Sequence, residues 1–99
     1  MTEEHPPDLV LYTKSWCGFC FRAKSLLERR GLDYREIDVT FDGELEDEMI
    51  RLAGGRSTVP QIFVRGTHIG GSEELARLAA SGELDEMLGQ DDDRQEVQG

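Results

Sequence analysis

The chain reads as an α/β domain with a four-stranded mixed sheet and helices on both faces. Three observations point there. Short apolar runs of strand length alternate with segments of helical periodicity, the pattern of parallel βαβ units. Two apolar runs, Gln61-Ile62-Phe63-Val64 and Thr67-His68-Ile69, are separated only by Arg65-Gly66, which adds an antiparallel hairpin. Both cysteines, Cys17 and Cys20, form a Cys-x-x-Cys pair directly after the first apolar run.

Taken in order, Leu9-Val10-Leu11-Tyr12 is the first strand. Cys20, Ala23, Leu26 and Leu27 follow helical spacing as far as Arg30, and Gly31 sits where a C-cap glycine belongs. The segment Tyr34 to Val39, with Ile37 and Val39 alternating, supplies a second strand parallel to the first. A second helix is predicted from Glu44 to Ala53, because Leu45, Met49, Leu52 and Ala53 recur at i, i+4, i+7 and i+8 before Gly54-Gly55. After the hairpin, Gly70-Gly71 introduces a helix with an acidic first turn, Ser72-Glu73-Glu74, and an apolar face of Leu75, Leu78 and Ala79. Leu84, Met87 and Leu88 are expected to extend that packing past Gly82. The order β-α-β-α-β-β-α with a Cys pair after the first strand narrows the choice to a thioredoxin-like fold.

With 99 residues there is room for one compact domain with a modest core, expected over residues 8–89. Residues 1–7, with Pro6-Pro7, read as a flexible lead, and 90–99 as a flexible acidic tail. Asp and Glu number 21 against 11 Lys and Arg, a net charge of -10, and such a field repels nucleic acid and anionic lipid. The amino terminus lacks the basic and apolar regions of a signal peptide, and no apolar run is long enough to span a membrane, so a cytoplasmic protein is expected. Cytosolic thiols are kept reduced, which favours catalysis or metal binding over a structural bridge for a close Cys pair.

A cysteine at a strand-to-helix junction meets free backbone N–H groups and the positive end of the helix dipole, and Lys14 adds a nearby cation; all three stabilise a thiolate. A structural zinc site needs about four ligands, and besides the two cysteines this chain offers only the remote His5 and His68. A bridge closing so short a loop removes little unfolded-state entropy. His68 reads as a half-exposed strand residue, and the acidic cluster of the second helix as a solvated face.

Three separated segments now carry a resemblance over residues 9–88. They are Tyr12-Thr13-Lys14-Ser15-Trp16-Cys17-Gly18-Phe19-Cys20, then Ser57-Thr58-Val59-Pro60-Gln61-Ile62-Phe63-Val64, then Gly70-Gly71-Ser72-Glu73-Glu74-Leu75. In this order they resemble the active-site, Thr-Val-Pro and Gly-Gly segments of the glutaredoxin family, dithiol type. The resemblance implies a cis Val59-Pro60 bond and a glutathione site: the Val59 backbone pairs with the cysteinyl unit, and the Ser72 and Glu73 N–H groups hold the γ-glutamyl carboxylate. Glu73 would meet the γ-glutamyl amine, Lys14 and Arg56 the glycine carboxylate, while Trp16, Phe19, Thr58, Pro60 and Gly71 complete the rim. Taken without the resemblance, Pro60 is a strand-entry proline and Ser72 an ordinary N-cap.

Many dithiol members have Pro and Tyr between the cysteines, where this chain has Gly18 and Phe19; monothiol members share Gly-Phe but replace the second Cys by Ser. Thioredoxins share Trp-Cys-Gly but have Pro before the second Cys. The implied function is a glutathione-dependent thiol–disulfide oxidoreductase acting on protein disulfides and glutathionylated proteins through Cys17, with Cys20 as resolving thiol. The alternative is a [2Fe-2S] carrier, a homodimer in which Cys17 of each subunit and two glutathione thiolates supply the four sulfurs. Otherwise a monomer is expected, binding neither nucleic acid nor membrane.

Overall fold

The computed structural model describes residues 8–89, so the expected lead (1–7) and tail (90–99) lie outside the described residues. The elements are β1 (Leu9–Thr13), α1 (Gly18–Arg29), β2 (Arg35–Asp38), α2 (Gly43–Leu52), β3 (Gln61–Val64), β4 (Thr67–Gly70), α3 (Ser72–Ser81) and α4 (Glu83–Met87). The four strands lie in the order β2-β1-β3-β4. β1 pairs parallel with β2 (Leu11 opposite Glu36) and antiparallel with β3 (Leu11 opposite Ile62), so the sheet is mixed. Among the described residues, no helix is long and apolar enough to cross a membrane.

Alternation along the strands builds two cores, because successive side chains point to opposite faces. Leu9, Leu11, Ile62 and Val64 share one face with Ala23 and Leu27 of α1 and Leu75 and Ala79 of α3. Val10, Tyr12 and Phe63 point the other way, against Met49, Leu45 and Ile50 of α2. Tyr12 and Phe63 meet edge to face with centroids 5.7 Å apart. Helices therefore cover both faces of the sheet.

Two boundaries differ from the sequence expectation by more than one residue, each for a local reason. Helix α1 begins at Gly18 because Cys17 is its N-cap, accepting the Cys20 N–H on its sulfur. The carboxy-terminal packing is a separate helix, α4, because Gly82 adopts a left-handed φ of 87° that ends α3. Leu84 of α4 is nevertheless fully buried against the first core. The hairpin turn places Arg65 and Gly66 at φ 51° and 84°, the positive pair that a two-residue turn of this hand requires. Arg65 is held there by Asp8 at 3.2 Å and the Leu88 carbonyl at 3.1 Å.

Candidate active site

Both cysteines sit where β1 hands over to α1, but in opposite surroundings. Cys17 is half-buried and accepts the Cys20 N–H at 3.1 Å, in the first turn of a helix whose leading N–H groups favour an anion. Its thiol also faces the Val59 carbonyl at 3.7 Å, which ties the loop before β3 to the reactive sulfur. Cys20 is 2% exposed. Burial, then the hydrogen bond with Cys17, pushes the Cys20 thiol up to about 12. One thiol is thus presented and the other withheld. Brief treatment of the reduced protein with iodoacetamide at pH 8 should therefore add a single carbamidomethyl group, on Cys17; a doubly modified product from folded protein would contradict the withheld Cys20.

An open groove of about 440 Å³ lies beside this pair, lined by Phe19, Arg56, Ser57, Thr58, Val59, Pro60, Gly71, Ser72, Glu73 and Glu74. That volume suits a small ligand, the usual range being ~300–1,000 Å³. The Val59-Pro60 bond is cis. Gly71 runs alongside Pro60: a Cβ there would reach van der Waals contact with the Pro60 carbonyl, at 3.4 Å. Gly71, not Ser72, is the N-cap of α3, so the Ser72 and Glu73 N–H groups lie in the first turn with no intrahelical acceptor.

Eight expected residues come together in this groove: Phe19, Arg56, Thr58, Val59, Pro60, Gly71, Ser72 and Glu73. Lys14 and Trp16 do not line it. Lys14 instead pairs with Glu46 of α2 at 2.7 Å, and Trp16 stands 95% exposed.

The sequence reading missed three residues that shape the site. Glu74 accepts the Gly71 N–H at 2.7 Å and lies 3.9 Å from Arg56, bracing both ends of the groove. The signal was a Glu at the third helical position, half of a capping box. A Cβ at Gly70, whose φ is 115°, would approach this carboxylate side chain to 2.8 Å, so glycine is required there. Gln61 is fully buried and donates to the Thr58 carbonyl at 2.9 Å, while its oxygen meets His68 Nε2 at 2.6 Å. This fixes the floor below Thr58. Glu46, a member of the acidic cluster, holds Lys14.

The Gly71 N–H holds the Glu74 carboxyl below its usual range. A carboxylate lowered on folding contributes stability that is complete above the ordinary carboxylate range and lost as pH falls through its folded value. Glu74→Gln should therefore melt below the wild type at pH 7, and the gap should close in acid; a gap independent of pH would remove the charge from this role.

A sequence model described as Glutaredoxin matches residues 9–69. The chain belongs to the glutaredoxin family. The glutaredoxin of Pseudomonas aeruginosa is 46% identical over 82 residues, covering 83% of this chain and 96% of that protein. Glutaredoxin 3 of Escherichia coli K12 is 44% identical over 81 residues, with 82% and 96% covered. Among solved structures, the buckwheat glutaredoxin–glutathione complex superposes with a TM-score of 0.75 at 32% identity, covering 85% of this chain and 78% of that one. The thioredoxin-like fold is thus shared with glutaredoxins, and the chain is a thiol–disulfide oxidoreductase.

Proposed function

We propose that this glutaredoxin uses glutathione to reduce glutathione mixed disulfides and protein disulfides in the cytoplasm. The observation that carries the reading is the groove, which runs from Val59, beside the Cys17 sulfur, to the free N–H groups of Ser72 and Glu73. A tripeptide with a carboxylate at each end suits it. The cysteinyl unit pairs with the Val59 backbone as an added strand does, and the γ-glutamyl carboxylate takes the start of α3. Glu73 receives the amine. Arg56 meets the glycine carboxylate, and Lys14 joins it by exchanging Glu46 for the ligand. Phe19, Thr58, Pro60 and Gly71 wall the groove, and Trp16 flanks the sulfur from outside. The buckwheat relative, a glutathione complex of the same fold, supports this ligand.

Cys17 as thiolate attacks the glutathione sulfur of a mixed disulfide; a Cys17–glutathione bond forms as the protein thiolate leaves. A second glutathione thiolate then attacks that glutathione sulfur, giving glutathione disulfide and restoring the Cys17 thiolate. With a protein disulfide, Cys17 forms the bond to the protein, and Cys20, after losing its proton, attacks Cys17 to expel the protein thiolate. Two glutathiones reduce the resulting Cys17–Cys20 disulfide. Coupled to glutathione reductase and NADPH, the wild type should turn over cysteine–glutathione mixed disulfide, and Cys20→Ser should retain that activity. Absence of turnover in both proteins would overturn glutathione as the reductant.

The cluster reading rests on Gly18, which leaves the backbone before Phe19 free of a proline ring; a Cβ there would meet nothing within 4 Å. Among the described residues, no group of three or more His, Cys, Asp or Glu could hold a metal. The four sulfurs would have to come from two chains and two glutathiones. Anaerobic reconstitution with iron, sulfide and glutathione tests it: a brown dimer supports the role, and a colourless monomer removes it.

A further inference from the structure

The two most exposed large apolar side chains among the described residues are Trp16, at 95%, and Phe41, at 93%. Neither lines the glutathione groove. Both belong to loops at the Cys17 end, and the loops are tied together. Thr40 Oγ1 accepts the Ser15 N–H at 2.7 Å and donates to Asp38 at 2.5 Å, and the Thr40 N–H donates to the same carboxylate at 2.8 Å. These bonds hold the β1–α1 loop, which carries Trp16 and Cys17, against the β2–α2 loop, which carries Phe41. Trp16 also occupies the left-handed region, φ 56°, where a bulky residue is rarely found without a functional reason. Two aromatic rings left in water, on loops pinned to each other, one of which carries Cys17, have no use in the core.

The segment around Phe41 is one-signed in sequence, although Lys14 reaches into it from the β1–α1 loop to pair with Glu46 at 2.7 Å. Residues 38–48 hold six acids (Asp38, Asp42, Glu44, Glu46, Asp47 and Glu48) and neither Lys nor Arg. Of these, Asp38, Asp42, Glu44 and Asp47 are exposed. We propose that Trp16 and Phe41 with this acidic rim form the docking surface for the protein half of the substrate. It takes a polypeptide segment whose disulfide cysteine lies near an apolar side chain flanked by Lys or Arg. The proposal rests on the oxidoreductase reading above and divides its labour: glutathione lies on the α3 side of Cys17, the protein on the β2–α2 side. Exposed apolar patches bordered by charge are the common form of such surfaces, with aromatic anchors supplying affinity and charge supplying selectivity.

The probes are two cyclic peptides, each closed by one disulfide, with Leu beside a cysteine and flanked by two Lys or by two Glu, and cysteine–glutathione mixed disulfide. Turnover is followed by NADPH consumption with glutathione and glutathione reductase. The wild type should show a KM for the Lys peptide about tenfold below that for the Glu peptide. Phe41→Ser should raise the Lys-peptide KM about tenfold, the loss of one aromatic anchor, and Glu44→Lys should erase the preference for Lys. Neither change should alter turnover of the mixed disulfide, which needs no protein surface. Equal KM values for the two peptides, or a Lys-peptide KM unmoved in Phe41→Ser, would overturn the docking surface while leaving the oxidoreductase reading standing. No turnover of the mixed disulfide by the wild type would overturn that reading and the proposal with it. A dimer in sedimentation that Phe41→Ser dissolves would assign the patch to a second copy of the chain instead.

Discussion

Replacing Cys17 by Ser should remove turnover of small mixed disulfides and protein disulfides alike, by at least ~10³-fold, while leaving the melting temperature close to that of the wild type. A serine hydroxyl stays protonated where a thiol ionises, so the nucleophile is lost. The fold should survive because the Cys17 side chain is also the N-cap of α1, accepting the Cys20 N–H at 3.1 Å, and serine is a preferred residue for that task. The substitution therefore separates the chemistry of the sulfur from its structural duty. Coupled turnover together with a melting curve checks both halves. A variant that melts normally and still reduces either substrate would show that Cys17 is not the attacking group, whereas an unfolded variant would show that the cap needs sulfur.

The elements with strong periodicity were readable from the sequence because their signals are local. The alternation of Leu9, Val10, Leu11 and Tyr12 between the two cores, the Arg65-Gly66 turn and the stop at Gly54-Gly55 each depend on a few adjacent residues. The groove was readable for a different reason: three segments distant in the chain each carry a recognisable local pattern, and the fold brings them together. What stayed hidden are pairings set by tertiary distance. Lys14 could not be matched to Glu46, 32 residues away on a helix that reads as an evenly solvated acidic face. Trp16 sits next to Cys17 in sequence, yet its positive φ sends the side chain into water and away from the groove. Glu74 was passed over because its neighbour Glu73 has the more obvious ligand chemistry, although Glu74 is the one that braces Gly71 and Arg56.

The largest stability effect should come from Leu75→Ala, with a loss of ~2–5 kcal/mol. Leu75 is fully buried, in the core formed by α1, α3 and one face of the sheet. Its backbone N–H closes the first turn of α3 on the Gly71 carbonyl at 3.0 Å. The side chain therefore anchors the very turn whose free N–H groups face the groove. Truncation removes buried contacts and leaves a cavity that backbone hydrogen bonds resist filling. Against a typical domain stability of ~5–15 kcal/mol, that loss brings the protein near its threshold. Urea unfolding should show a lower midpoint with an unchanged slope. At temperatures where the variant remains folded, a looser α3 should weaken glutathione binding, so KM for glutathione should rise more than kcat falls. A Leu75→Ala protein with wild-type stability would mean that α3 is not held by this contact. The expected loss of stability with an unchanged KM would mean that the start of α3 keeps its place by the Glu74 and Pro60 contacts alone.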